Sequence, residues 1–319
     1  MHNNMNAERA LKILFIGSDH IGDRALLKTP YEAAYCDAFD EGCDAFPEKP
    51  LPLDAALQTF KPDAAVVGVP NTRKNIPAAE VAVMDAGIPL LIQKFRLRDF
   101  SDYEMIRGAA AQRNAQVYIG EFYRLTPVAE TVRQFIRAER LGKLEYLRWT
   151  CAPNHPYAPW ESTYRHLALE DLAFHHLSVM SSWMPLRPVS VYARSLSPRK
   201  GGPLGGTVYS ALITTADGCV IDHCIDWHHA VERTDFYGNF SLEGERGGLF
   251  SRGGVLFFSE WSGGEAREPR EVALAEAGPQ TGLELFVNAL RGLGDHPVSL
   301  ADFDDVMHTA GLALSSAAT

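Results

Sequence analysis

The sequence predicts an α/β protein in two parts. An N-terminal parallel sheet is covered by helices on both faces, and a C-terminal α+β part is built on a large, mostly antiparallel sheet with one open face. Three observations carry this. Over about the first 120 residues, short continuous apolar runs alternate with stretches of helical spacing. Strands that are apolar at nearly every position are buried on both faces, as in a parallel sheet. From about residue 189 to 261, strand-like stretches follow one another with only turn residues between them, which favours antiparallel pairing. The chain has 319 residues, 46% of them hydrophobic, enough for two cores.

The elements follow in order. Residues 11–17 form the first strand, and 22–29 leave room for only a short helix before Pro30. YEAAYC (31–36) is the second strand. In LDAALQTF, Leu53, Ala56, Leu57 and Phe60 fall at helical spacing. DAAVVGV (63–69) is the third strand, and 75–86 a helix with Pro77 in its first turn and Gly87 as its stop. IPLLIQ (88–93) is the fourth strand, Ser101 to Glu104 a capping box for the next helix, and AQVYIG (115–120) the fifth strand.

Beyond this the pattern changes. Thr126-Pro127 starts a helix with Val128, Val132, Phe135 and Ile136 on one face, ending at Gly142. Residues 144–152 form a strand, and 165–184 a helix carrying Leu169, Leu172, Leu177 and Met180. The strands VSVYARSL, VYSALITT, CVIDHCIDW, DFYGNFSLEG and GVLFFSEW follow, and two helices, at about 281–291 and 302–316, close the sequence. The expected domains are 1–123 and 124–319.

A net charge of −10 argues against nucleic acid as the main partner, because no basic excess faces phosphates. No apolar run approaches the roughly 18 residues of a membrane span. The start, MHNNMNAERALK, lacks the apolar region of a secretory signal. Cys36, Cys43, Cys151, Cys219 and Cys224 are odd in number and lack a C-x-x-C spacing, so reduced thiols in a cytoplasm are expected. SPRKGGPLGG (197–206) is a loop.

In ILFIGSDHIGDR (13–24) an apolar strand ends in Gly17, and Gly22 follows. This is the outline of the Rossmann-type dinucleotide turn, G-x-G-x-x-G between strand and helix. Asp19 stands where the middle glycine would admit a pyrophosphate, and Ser18, His20 and Ile21 complete the turn. Asp37 comes twenty residues after Gly17, the spacing of an acid that grips ribose hydroxyls and favours NAD over NADP. The bland alternative is a plain turn followed by a solvated acid. Asp171 and His175 are four residues apart, one helical turn on one face, so the carboxylate can fix the imidazole tautomer. In DHCIDWHH (222–229), strand alternation sends His223 and Trp227 one way and Cys224 and His228 the other, which splits the ligands of any metal site; none is expected.

Several segments together resemble the glucose–fructose oxidoreductase and inositol dehydrogenase (Gfo/Idh/MocA) family over nearly the whole chain. DAAVVGVPN (63–71) is similar to its third strand and Pro-Asn cofactor loop, and AGIPLLIQKF (86–95) to its AGKHVLCEKP. YIGEFYRLTPVAETVRQFIRAERLGKL (118–144) resembles its crossing into the second domain, with Arg124 and Pro127 in matching places. EDLAFHHLS (170–178) is similar to its D-x-G-x-H-x-x-D helix, and FVNALRGLGDHPVSLAD (286–302) to its C-terminal helix and loop.

The resemblance implies an oxidoreductase that passes a hydride between nicotinamide and a hydroxyl-bearing carbon, or a carbonyl or imine in reverse, of a sugar, a cyclitol or a related metabolite. Lys94 and His175 are the implied proton-transfer pair and Asp171 orients His175. The cofactor set is Gly17, Ser18, His20, Ile21, Gly22, Asp37, Pro70, Asn71 and Gln93. Candidate substrate contacts are Arg124 and, from CAPNHPYAPWESTYRH (151–166), Tyr157, Trp160, Tyr164 and Arg165. The departures cluster at the chemistry: Asp19, Gln93 and Phe95 flanking Lys94, Ala173 for the motif glycine and Ser178 for its last acid. Lys94 must lose proton affinity from about 10.4 to act near neutrality. The rival expectation is a chain that keeps the fold without redox chemistry, as a binding protein or a non-redox acid–base enzyme. The open sheet face, expected to carry Trp227, implies a homodimer or a homotetramer built from such dimers.

Overall fold

The apolar runs of the first part pair side by side. The computed structural model describes residues 9–17, 21–37, 46–68, 77–93, 100–155, 161–162, 164–197, 205–229, 231, 233–276, 278, 281–294 and 298–318. The chain divides into two units, Met1–Phe122 with Pro279–Asp304 and Tyr123–Gly278 with Asp305–Thr319. A single cut after residue 123 therefore misses a C-terminal segment that returns to the first unit.

In that unit β1 (Leu11–Ile16) lies between β2 (Tyr31–Cys36) and β3 (Ala64–Val67), parallel to both. A six-residue 3-10 helix, Ile21–Leu26, links β1 to β2. Between β2 and β3, α1 (Leu53–Ala55) runs into a π-turn, Ala56–Phe60, which Lys61 ends at φ 53°. α2 (Ala78–Asp85), β4 (Leu90–Ile92), α3 (Phe100–Arg113) and β5 (Val117–Ile119) continue the alternation. Every residue of β3 and β4 is buried, as both-face coverage requires. Gly87, at φ 69°, ends α2 as expected. Ser101 is the second residue of α3 rather than its cap, because the helix already includes Phe100.

The returning segment supplies α6 (Gly282–Leu290) and a short strand, Val298–Ser299, antiparallel to β5. Leu283, Phe286 and Val287 of α6 share one buried cluster with Ile13, Phe15, Tyr35, Val66 and Leu91. Apolar spacing in α6 thus closes the core of strands lying more than 180 residues earlier in the sequence.

In the second unit, Thr126 caps α4 (Pro127–Arg137), its hydroxyl accepting from Ala129 N, with Pro127 at the first helical position. The helix ends before Gly142, and the turn after it contains Glu139 at φ 52°. β6 (Leu144–Cys151) follows; a π-helical stretch, Ala168–Ala173, runs directly into α5 (Phe174–Trp183). The Trp183 indole donates to Ala129 O at 3.0 Å and ties α5 to α4.

The large sheet comprises β6, β7 (Pro188–Leu196), β8 (Val208–Thr215), β9 (Val220–Asp226), β10 (Asn239–Gly244), β11 (Gly247–Arg252), β12 (Val255–Ser262), β13 (Glu265–Ala266) and β14 (Arg270–Val272). Its order is β13-β12-β11-β10-β6-β9-β8-β7, with β14 on β12; β6 and β9 are parallel and the other pairs antiparallel. The β11 strand was not expected, because the two glycines of GGLFSR mask its alternation. Residues 235–238 form a turn instead of the start of a strand. Gly238 has φ 56° there, and its N–H donates to Asp235 Oδ1 at 2.9 Å.

Alternation divides the sheet as strand geometry demands. Trp149, Tyr209, Ile221, His223, Phe240 and Leu242 are buried on one face. Arg148, Ser210 and Leu212 on the other face are exposed, and Cys224 there is half-buried. Trp227 is a correction: it shares the side of His223, as alternation says, but that side is the covered one and Trp227 is buried. The last helix, α7 (Asp304–Ala317), bonds the β7 edge through Ser316 Oγ, which accepts from Ala193 N at 2.9 Å. No helix among the described residues is long and apolar enough to cross a membrane. Cys36, Cys151, Cys219 and Cys224 are free thiols.

Candidate functional site

The residues singled out for chemistry fall into two sets, one in each unit. The first lies at the carboxyl ends of the parallel strands. The chain leaves β1 for β2 on one side and later returns to β3 on the other, so a crossover point opens beside β1. Gly17 follows β1 at φ 81°, and its N–H donates to Cys36 O at 3.0 Å. Ile16 pairs with Cys36, so Gly17 and Asp37 leave adjacent strands at one level. Gly68 N–H donates to Ile16 O at 2.8 Å, and Gln93 N–H to Val67 O at 3.0 Å. Gln93 is buried and packs over Gly120, where a Cβ would stand 2.8 Å from Gln93 Oε1. Ile21 and Gly22 open the 3-10 helix. Ser18, Asp19, His20, Pro70, Asn71, Lys94 and Phe95 lie outside the described residues.

The second set surrounds His175. Asp171 sits in the π-helical stretch and His175 in the first turn of α5; both side chains are nearly buried. A π-to-α junction of this kind recurs at functional sites. The Tyr164 hydroxyl, also buried, donates to Asp171 Oδ1 at 3.2 Å. Tyr164, expected as a substrate contact, thus bonds the acid. Arg165 is exposed, and Arg124 is half-buried. The Arg124 carbonyl accepts from Arg133 Nη2 at 2.6 Å. Tyr157 and Trp160 lie outside the described residues.

Sequence reasoning missed the aromatic wall of His175. The Tyr123 ring lies 5.0 Å from the imidazole, and Phe236 stacks on Tyr123 at 3.8 Å with 6° between planes. Phe174 meets the imidazole edge-on at 5.4 Å. The Tyr237 and Thr126 hydroxyls each stand within hydrogen-bond distance of Tyr123 O and of each other, so their two protons make two of these three contacts at a time. The signal was present as the aromatic pairs of "EFYRL" and "TDFYG", which single-stretch patterns do not bring together.

Behind that wall lies a fully buried pair. His176 Nδ1 is 2.9 Å from His223 Nε2, and His176 Nε2 is 2.8 Å from Phe236 O. Trp149 stacks on His176 at 4.4 Å. Burial, with His223 beside it, lowers the His176 pKa well below 6.5; burial takes His223 down to about 3.

A buried carboxylate forms a further cluster. Glu161 Oε1 accepts from the Trp227 indole at 3.1 Å, and Oε2 stands 3.3 Å from His228 Nε2. His228 Nδ1 donates to His155 O at 3.0 Å. No group of three His, Cys, Asp or Glu side chains among the described residues is arranged to hold a metal ion.

No family model and no curated protein matches the chain. Its fold is shared with solved structures at low identity. An oxidoreductase from Agrobacterium radiobacter, in complex with NAD+, L-tartaric acid and magnesium, is 16% identical with a TM-score of 0.79, covering 98% of this chain and 97% of that one. UDP-N-acetylglucosamine 3-dehydrogenase GnnA from Acidithiobacillus ferrooxidans is 19% identical with a TM-score of 0.72, covering 97% and 98%. The WlbA dehydrogenase from Bordetella pertussis, in complex with NADH and UDP-GlcNAcA, is 16% identical with a TM-score of 0.74, covering 97% of each.

Proposed function

We propose that the chain is a nicotinamide-dependent oxidoreductase of the Gfo/Idh/MocA family, acting on a hydroxyl, carbonyl or imine carbon of a sugar-like or cyclitol-like metabolite. The observation that carries this is the crossover beside β1, where Gly17 at φ 81° and Asp37 leave adjacent strands at one level. Those residues fit a dinucleotide. The glycine turn brings backbone close to a pyrophosphate, and the Asp37 carboxylate can accept from ribose hydroxyls. An acid there repels a 2′-phosphate, so NAD is favoured over NADP. Similarity over nearly the whole chain to an oxidoreductase solved with NAD+ and a dehydrogenase solved with NADH supports the same reading.

When bound, the nicotinamide ring supplies the hydride acceptor or donor. The chain's own part is binding and proton transfer. Gly17, Ser18, His20, Ile21, Gly22, Pro70, Asn71 and Gln93 hold the cofactor beside Asp37. Lys94 and His175 hold and move the substrate proton. Asp171, held by the Tyr164 hydroxyl, orients His175. Arg124, Tyr157, Trp160 and Arg165 bind substrate. The open sheet face pairs two copies into a dimer, alone or within a tetramer; exposed Tyr192, Leu196, Leu212 and Trp261 support this.

A second reading, non-redox acid–base chemistry, is favoured by one feature. A pyrophosphate is best held by an α-helix N-terminus, and here the turn leads into a six-residue 3-10 helix. Cofactor titration separates the two. NADH at about 100 times its Kd stabilises the folded state by about 2.7 kcal/mol, so millimolar NADH raises Tm, NADPH raises it less, and Asp37→Ala weakens the NADH effect. No Tm change with either nucleotide would leave the non-redox reading standing.

A further inference from the structure

His176 and His223 are absorbed by none of the roles above, yet with both rings neutral their geometry allows only one arrangement of protons. Phe236 O can only accept, so His176 Nε2, 2.8 Å away, carries a hydrogen. A neutral His176 then has a bare Nδ1, which accepts. His223 Nε2, 2.9 Å away, must be the donor, which leaves His223 Nδ1 bare. Consistent with this, His223 Nδ1 is buried and meets no hydrogen-bond donor among the described residues. A second proton on His176 would set two N–H groups against each other across the 2.9 Å contact, or drive the His223 proton onto Nδ1, where no acceptor stands among the described residues.

The chain of donors therefore runs one way, from His223 through His176 to the Phe236 carbonyl. Phe236 is the residue that stacks on Tyr123, and Tyr123 flanks His175. Phe236 itself lies 6.3 Å from the His175 ring and meets His176 edge-on at 4.9 Å. The His176 ring is also stacked on by Trp149, which in turn stacks on Trp183. Neither buried histidine touches solvent.

We infer that His223 and His176 are a positioning pair, which fixes the Phe236 carbonyl and through it the Phe236–Tyr123 wall beside His175. The importance of that wall rests on His175 being the acid–base group; the pair's geometry does not. The adjacent histidines of EDLAFHHLS then divide the labour: His175 faces the aromatic wall, and His176 anchors it from behind.

Long-range nitrogen–proton NMR spectra of the unmodified protein at pH 7 test the arrangement. Both rings should show a protonated Nε2 and a bare Nδ1. An Nδ1–H tautomer, or a second proton, on either ring would overturn it. A variant pair tests the positioning. His223→Gln keeps an amide donor for His176 Nδ1, and His223→Leu removes it. The ring-proton resonances of His175, set by the ring currents of Tyr123 and Phe236, should shift in His223→Leu and stay near their native values in His223→Gln. Unmoved His175 resonances in a folded His223→Leu protein would refute the positioning role. If His223→Leu does not fold, the tautomers of the unmodified protein decide alone. None of these readouts needs turnover, so loss of the catalytic role of His175 would be seen separately, as retained activity in His175→Ala.

Discussion

Two imidazoles with no access to water make the second unit sensitive to acid. The groups facing them are each other, His175 on α5 and Tyr209 on β8, and no carboxylate stands among the causes of their shifts. A histidine whose folded pKa lies below 6.5 binds protons more readily when unfolded. Its stability contribution is complete above about pH 6.5 and is lost as pH falls from there toward the folded value, about 3 for His223. Between pH 7 and 5.5, His223 alone should cost about 1 kcal/mol, read as a lower urea midpoint, and His176 adds in the same direction. His223→Gln should flatten that slope. Equal midpoints at both pH values in the unmodified protein would contradict it. The places of Asp171, His175 and Asp37 at a helix start and a strand end were legible from their motifs. Those of Tyr123, Phe236 and His176 were not, because they are set by contacts across about 50 to 110 positions. Tyr164 was noticed for its chemistry, but which group its hydroxyl meets is a matter of packing.

At the scale of elements, the sequence predicted best where one physical rule dominated. All-apolar runs became the parallel strands, and Thr126-Pro127 became a capped helix start. The misses are short or glycine-containing. β11 carries its alternation on only three buried positions, and β13 is two residues long. The turn at 235–238 read as strand because its aromatics suit one; the glycine that ends it decides otherwise. Gly238 holds φ 56°, and a Cβ there would collide with the Thr150 carbonyl oxygen of β6. Gly238→Ala should therefore cost about 2–4 kcal/mol, combining left-handed strain with overpacking. The neighbouring Phe236 should be displaced with it. A urea midpoint within error of the parent would show that the turn relaxes freely.

For the whole molecule, the two-part architecture was legible and the path of the chain through it was not. The open sheet face presents Tyr192, Leu196, Leu212 and Trp261 to solvent, and the Phe250 and Phe257 rings stack on it at 5.4 Å. Pairing by a twofold axis buries such a face at once. Light scattering at micromolar protein should report at least 70 kDa, about twice the 35.2 kDa chain. A mass of one chain at that concentration would exclude the dimer. Replacing Leu212 by Glu should split the assembly while leaving the buried face unchanged.

The return of Pro279–Asp304 to the first unit sets an order on biosynthesis. A ribosome that has released Phe122 has delivered all five parallel strands but not α6, whose Phe286 belongs to their core. At roughly 5–20 residues per second, on the order of ten to forty seconds pass before that helix emerges. For that time the nascent sheet exposes the apolar surface that Leu283, Phe286 and Val287 will cover, an opening for chaperones or for aggregation. The second unit, by contrast, has its whole large sheet by residue 272 and lacks only α7. The part of the chain made first is thus completed late. A fragment ending at Phe122 should be insoluble or bind a hydrophobic dye, and fusing residues 279–304 to its end should restore a cooperative thermal transition. A well-folded fragment without them would show that the strands close their core unaided.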